Sequence, residues 1–143
     1  MRKLTICLLC LFAISPVFAQ ADITVYKSPT CGCCKKWISH LEDNGFKVKS
    51  VDMQSVTPKK IEFGITPQLA SCHTAVVNGY VIEGHVPASD IKRLLKDKPK
   101  DVRGLTVPGM PIGSPGMEQG SRKDPYAVLT IDKKGGTTVY SRH

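Results

Sequence analysis

Residues 23–34, ITVYKSPTCGCC, decide the fold because they pass from a strand into a helix and carry three cysteines at that junction. The β-branched and aromatic run 23–26 predicts a short strand, which the following Ser-Pro-Thr ends. Thr30 is a suitable N-cap for a helix that starts at Cys31. A thiol there lies at the positive end of the helix dipole, where its thiolate is stabilised. The junction is therefore the predicted reactive part of the chain.

Outward from this junction, hydrophobic periodicity predicts the order β-α-β-α-β-β-α up to about residue 98. The predicted strands cover 23–26, 46–51, 73–77 and 80–82. The first predicted helix starts at Cys31 and ends at Asn44-Gly45, and the other two cover 57–63 and 87–95. A β-α-β unit of this length implies two parallel strands with a right-handed crossover. Asn78-Gly79 between two apolar runs predicts a hairpin turn.

The composition changes after Lys98. Residues 107–120 are rich in glycine and proline and include Met110 and Met117, so they can form neither a helix nor a central strand. We expect an ordered loop that lies over another part of the protein. A terminal hairpin over 126–131 and 137–140, turning at 134–136, should follow it.

The cysteine spacing leaves several functions open. Cys31 and Cys34 have the C-x-x-C spacing, and Cys33 adds a third sulfur in the same turn. Three cysteines in four residues cannot all pair with one another, which favours a soft, thiophilic metal over structural disulfides. Disulfide exchange remains an alternative. Zinc is a further one, although zinc sites usually use two separated cysteine pairs.

Other soft ligands occur further along the chain. Cys72-His73 precedes the third strand, where the predicted topology brings it close to the start of the first helix. His85 follows the fourth strand and fits either a ligand or a hydrogen-bonded core histidine. Met110 and Met117 fit either packing residues or thioether ligands, which favour cuprous copper. His40 and His143 are expected at the surface.

The chain has 143 residues, of which 41% are hydrophobic and 22% charged, with a formal net charge of +8. This length allows one compact domain, and no apolar run reaches the roughly 18 residues of a transmembrane helix. Residues 1–19 have the basic start, apolar stretch and small residues of a cleavable signal peptide, so the mature chain should be exported without membrane insertion. The lysines are scattered, which argues against a nucleic-acid partner.

The strand, the C-x-x-C helix and the Asn-Gly hairpin resemble the thioredoxin and glutaredoxin class. That class has a cis-proline before the third strand, where this chain has Ser71-Cys72-His73, so ordinary protein disulfide exchange is in doubt. The stretches 26–34, 71–74, 81–87 and 104–118 together resemble the CopG family of small periplasmic proteins tied to copper resistance.

The CopG resemblance implies an α/β, thioredoxin-like domain over residues 20–98 and a C-terminal extension over 99–143 that packs on the metal site. It also implies a copper oxidoreductase role at a cysteine-bridged cluster of several copper ions. The residues carried over as metal ligands are Cys31, Cys33, Cys34, Cys72, His73, His85, Met110 and Met117, with Cys31 and Cys34 as the catalytic pair. A copper carrier without redox turnover and a periplasmic thiol–disulfide oxidoreductase remain alternatives. The expected partners are copper ions and periplasmic copper-efflux components, with the chain itself a monomer.

Overall fold

The computed structural model describes residues 21–143, so the predicted signal peptide lies outside the described residues. The strands are β1 (Asp22–Lys27), β2 (Lys47–Asp52), β3 (Thr74–Val77), β4 (Tyr80–Glu83), β5 (Val102–Thr106), β6 (Ala127–Asp132) and β7 (Thr137–Arg142). The helices are α1 (Gly32–Asp43), α2 (Thr57–Glu62) and α3 (Ala88–Asp97), and Pro67–Leu69 form a short 3₁₀ helix. No helix within residues 21–143 has the length and apolar character needed to cross a membrane.

All seven strands form one sheet in the order β2-β1-β3-β4-β5-β6-β7. β1 runs parallel to β2, and β4 runs parallel to β5, whereas the other neighbours are antiparallel. The predicted element order up to α3, the parallel β-α-β unit and both hairpins are confirmed. The chain thus has a mixed α/β fold with few helices.

Helices α1 and α3 supply buried residues to the larger of two apolar clusters. Trp37 and Leu41 of α1 and Ile91 and Leu94 of α3 pack there against strand residues such as Ile82. The smaller cluster contains Ile65, Val81 and Ile131. Val81 and Ile82 belong to different clusters because successive residues of a strand point to opposite faces of the sheet.

The structure differs from the sequence predictions at two elements. The N-cap of α1 is Cys31 and not Thr30, and the Cys31 sulfur accepts a hydrogen bond of 3.3 Å from the backbone N–H of Cys34. Strand β5 was not predicted, because its central Gly104 is unfavourable in an isolated strand. In the sheet, a Cβ at Gly104 would collide with the backbone carbonyl of Val81, so the close approach of β4 requires glycine.

Candidate metal centre

Four cysteine sulfurs converge where β1 passes into α1. Cys31 and Cys34 form a disulfide, while Cys33 and Cys72 are free thiols. The Cys33 sulfur lies 3.5 Å from the Cys31 sulfur and 3.6 Å from the Cys72 sulfur. The sulfurs of Cys34 and Cys72 are also 3.6 Å apart. The chain thus brings together cysteines that are about forty positions apart, and each disulfide sulfur touches a free thiol.

Two histidines extend this group of sulfurs. The Cys72 sulfur lies 3.0 Å from Nε2 of His85 and 3.3 Å from Nδ1 of His73. These three ligand atoms, like the four cysteine sulfurs, all lie within 4.8 Å of one another. Cys72 therefore belongs to both the cysteine group and the histidine group. Its predicted position close to the start of α1 is confirmed.

The hydrogen bond of His85 fixes which of its ring nitrogens can bind a metal. Nδ1 of His85 lies 2.8 Å from the carbonyl oxygen of Pro115, which can only accept a hydrogen bond. In the neutral ring Nδ1 therefore carries the proton, and Nε2 presents its lone pair to Cys72. A backbone carbonyl that orients a histidine in this way is a common outer partner of metal sites.

His73 is more enclosed than His85. Its ring is fully buried, lies 4.3 Å from the ring of Trp37 between centroids, and meets the ring of His85 edge to face. Its Nε2 has no hydrogen-bond partner among residues 21–143. The Trp37 ring is itself held by a bond of 2.9 Å from Nε1 to the carbonyl of Val86. His73 thus forms a wall of the site, and its buried Nε2 lacks a hydrogen-bond partner among the described residues.

Burial determines the protonation of these groups. It raises the pKa of the Cys72 thiol to about 12, with the neighbouring Cys33 as the next cause. It lowers the pKa of His73 well below its usual range and also lowers that of His85. At neutral pH both imidazoles are consequently neutral and able to bind a metal, whereas Cys72 is a thiol that must lose its proton to become a ligand.

The glycine- and proline-rich loop between β5 and β6 packs on the cysteine helix. Gly116 has a φ of +87°, and a Cβ there would lie 2.7 Å from the Cys33 carbonyl oxygen and 2.8 Å from the Trp37 nitrogen. The loop is also tied to the segment before Cys72, because the Gly109 N–H donates to the Ala70 carbonyl. Its two methionines differ: the Met110 side chain is 52% exposed, and Met117 is half-buried.

A buried carboxylate beneath Cys72 was missed by the sequence analysis. Glu83, at the end of β4, has no exposed surface and contacts the Lys60 ammonium from α2. Its carboxylate also accepts 2.6 Å hydrogen bonds from the Ser71 backbone N–H and the Thr74 hydroxyl. These bonds hold the chain on both sides of Cys72. No local pattern could reveal this role, since Glu83 and its partners lie on three separate segments.

The two histidines expected at the surface both make structural contacts. His40 is half-buried on α1, and its Nε2 accepts a hydrogen bond of 3.1 Å from the Ala88 backbone N–H at the start of α3. His143 stacks on Tyr126 and lies 2.8 Å from an Asp90 carboxylate oxygen. His143 is exposed, as expected, whereas the expectation of a surface position was wrong for His40, which is half-buried between α1 and the start of α3.

Comparison with known proteins identifies the family of this site. Residues 69–117, which include Cys72, match the family described as a protein of unknown function, DUF411. No curated protein matches the chain. Two solved structures named copper resistance protein CopG, Form 2 and Form 1, are each 43% identical and cover 87% of this chain. The matches span 99% and 98% of those chains, with TM-scores of 0.83 and 0.82. The chain therefore belongs to the family of the copper resistance protein CopG.

Proposed function

We propose that this chain is a periplasmic copper-binding protein of copper resistance that holds several copper ions on a cysteine-bridged cluster and interconverts Cu(I) and Cu(II). The observation that carries the proposal is the convergence of four cysteine sulfurs and His85 Nε2 within hydrogen-bonding or van der Waals distance. The names of the two similar structures support copper as the cargo.

The ligand types suit both oxidation states of copper. In the reduced protein, thiolates from Cys31, Cys33, Cys34 and Cys72 would bridge the ions, and soft sulfur ligands select Cu(I). Neutral imidazole suits copper more generally, so His85, with its lone pair already directed at Cys72, would remain a ligand in either state. His73 would be a ligand through Nδ1, which also faces Cys72.

The C-terminal extension, residues 99–143, would cover the copper site. The contacts that support this role are the Pro115 carbonyl on His85 and the packing of Gly116 on α1. A covered site limits water and fixes the donor atoms. Met117, next to Gly116, would supply a thioether close to the cluster, and the exposed Met110 would meet copper as it enters.

The proposed location depends on residues 1–19, whose pattern is that of a signal peptide. Cleavage would remove Cys7 and Cys10 and leave the four cysteines of the site. In the periplasm a monomer of this kind could exchange copper with efflux components. Pulse-labelling of the full chain should reveal a precursor and a shorter mature form, and a precursor that stays uncut would contradict export by this route.

The test of redox turnover must separate an oxidoreductase from a carrier. Copper-loaded protein is mixed with an electron donor, and Cu(II) is followed by electron paramagnetic resonance. An oxidoreductase lowers the Cu(II) signal repeatedly as copper is resupplied, whereas a carrier binds the same copper and leaves the Cu(I)/Cu(II) ratio unchanged. Replacing Cys31 or Cys34 by serine should abolish loading of the cluster of several copper ions, and full loading of either variant would refute the ligand assignment. Ser39→Ala, at an exposed position of α1, is the control.

The Cys31–Cys34 disulfide favours a second candidate, a thiol–disulfide oxidoreductase that acts on other proteins. Such an enzyme reduces insulin disulfides without copper and loses this activity when Cys31 is replaced by serine. The copper proposal predicts that the copper-free chain has negligible insulin reductase activity. Cys72 already fills the place beside the disulfide where a protein substrate would bind.

A further inference from the structure

The disulfide and the two free thiols of the site represent one of its redox states. With Cys31 bonded to Cys34, only Cys33 and Cys72 can become thiolates. A cluster held by four thiolates requires this bond to be open. The two states differ by two electrons and two protons, so the number of sulfur ligands is coupled to electron transfer.

We propose that Cys31 and Cys34 are the internal electron donor of the site and reduce two Cu(II) ions to Cu(I) as their disulfide forms. This inference rests on the proposed copper function and gives it a direction and an electron source. The step balances: two thiols and two Cu(II) give one disulfide, two Cu(I) and two protons. The S–S bond forms, both S–H bonds break, and the protons leave to solvent.

The contacts around the disulfide allow this transfer without movement of copper. A copper ion on Cys33 would be next to Cys31, whose sulfur is 3.5 Å from that of Cys33. An ion on Cys72 would be next to Cys34, at 3.6 Å between sulfurs. Each sulfur that loses an electron therefore touches a sulfur that can hold a copper ion.

The ligands that remain after the step suit its product. Cys33 and Cys72, with sulfurs 3.6 Å apart, stay reduced, and His85 Nε2 lies 3.0 Å from the Cys72 sulfur. Two thiolates and a neutral imidazole are a soft donor set that favours Cu(I) over Cu(II). When Cys31 and Cys34 form their disulfide, the site therefore keeps fewer sulfur ligands, and these ligands favour the Cu(I) that has just been produced.

The geometry also selects which pair of thiols is oxidised. Cys31 and Cys34 belong to one helical turn and form the disulfide in place. Cys33 and Cys72 lie on two different segments, and their sulfurs would have to close from 3.6 Å to about 2 Å. The segment of Cys72 resists this movement because Glu83 holds Ser71 and Thr74 on either side of it.

The experiment uses the mature chain, without Cys7 and Cys10, fully reduced and kept under argon. Copper(II) sulfate is added, Cu(I) is measured with a chromogenic chelator after the reaction, and the remaining thiols are alkylated and mapped by mass spectrometry. We expect two Cu(I) per chain, loss of two of the four thiols, and a disulfide between Cys31 and Cys34. A disulfide scattered among other pairs, or one joining two chains, would overturn the inference.

The double variant Cys31→Ser/Cys34→Ser removes the proposed donor pair and keeps the thiols of Cys33 and Cys72. It should give Cu(I) at least about tenfold more slowly than wild type. Ser39→Ala, at an exposed position of α1, keeps all four thiols and is the control. A double variant that reduces Cu(II) at the wild-type rate would mean that any pair of thiols serves, which overturns the inference. Wild-type protein that binds Cu(I), supplied as its acetonitrile complex, but does not reduce Cu(II) overturns it and leaves copper binding intact. Failure to bind either ion overturns the proposed function itself.

Discussion

At the scale of single residues, His85 gives the most direct test of the histidine ligands. Its Nε2 faces the Cys72 sulfur because the Pro115 carbonyl holds the proton on Nδ1. Loss of an outer partner alone weakens metal sites about 10- to 100-fold, so loss of the ring in His85→Ala should weaken Cu(I) binding at least about 10-fold. Competition against a chromogenic Cu(I) chelator measures this change.

The matched control for His85→Ala is His143→Ala, which removes a histidine that contacts Asp90 and Tyr126 and not the cysteine group. Copper affinity of the control should stay within about twofold of wild type, since the two histidines share no partner. Equal losses in both variants would show that the His85 effect arises from general destabilisation, contrary to its assignment as a ligand.

His40 predicts a pH-dependent contribution to stability. Burial lowers its pKa, and its Nε2 accepts the Ala88 N–H only when unprotonated. A lowered folded-state pKa means that the contribution is complete above the unfolded value of about 6.5 and is lost as the pH falls below it. His40→Ala should therefore lower the free energy of unfolding by about 0.5–2 kcal/mol at pH 8 and by less at pH 5.

Urea unfolding of copper-free wild type and His40→Ala at both pH values measures this difference. His73 and His85 also have lowered pKa values, but they are present in both proteins and cancel in the comparison. A gap between variant and wild type that widens toward acid would contradict the role of His40 as the cap of α3.

At the scale of elements, Glu83 links α2, β4 and the segment that carries Cys72. Removing one partner of a buried pair leaves the other uncompensated, so Glu83→Ala should lower the free energy of unfolding by about 3–5 kcal/mol. Glu62→Ala removes the pair with Lys59 at the surface and should change the free energy of unfolding far less, because water screens such a pair. If Glu83→Ala does not fold, Glu83→Gln is measured in its place, because its side-chain amide oxygen can still accept the hydrogen bond from the Ser71 N–H.

Urea unfolding and the alkylation rate of Cys72 together test the Glu83 prediction. A purely structural role would move only the unfolding energy, whereas a positioning role also raises the alkylation rate of Cys72 under native conditions. Similar unfolding energies for Glu83→Ala and Glu62→Ala would contradict the described network.

The loop of residues 107–126 offers a second test at this scale. Gly116→Ala places a Cβ against the Cys33 carbonyl and the Trp37 nitrogen, so the loop must lift from α1. We expect faster alkylation of Cys33 in this variant. Gly120→Ala is the matched control because Gly120 also has a positive φ but nothing within 4 Å of its Cβ position, so it should show only about 1–2 kcal/mol of backbone strain. Equal alkylation rates of Cys33 in the two variants would contradict the claim that the loop covers the site.

At the scale of the whole molecule, the sheet continues from the first half of the chain into the second through the parallel pairing of β4 and β5. His143, at the end of the chain, contacts the carboxylate of Asp90 on α3. The segment that carries Pro115 and Gly116 leaves the sheet after β5 and returns to it at β6, which lets it reach across to α1. The seven-stranded sheet thus supports the loop that faces the cysteines.

The features that could be predicted from sequence are those set by neighbouring residues. Asn78-Gly79 specifies its hairpin, and the spacing at Cys31 and Cys34 specifies a strand–helix junction. Strand β5 could not be predicted, because Gly104 is unfavourable in an isolated strand and its necessity appears only when Val81 packs against it. The role of His85 stayed open for a similar reason, since its tautomer depends on a carbonyl thirty residues away.

The central claim, a copper cluster on the four cysteines, is tested most directly by counting copper and free thiols in protein purified from the periplasm. The count is made with and without added Cu(I), after reduction under argon. The account predicts more than one copper per chain in the loaded protein, with Cys31, Cys33, Cys34 and Cys72 protected from alkylation. Protein that takes up no copper, and whose four thiols alkylate at the same rate with and without it, would contradict the account.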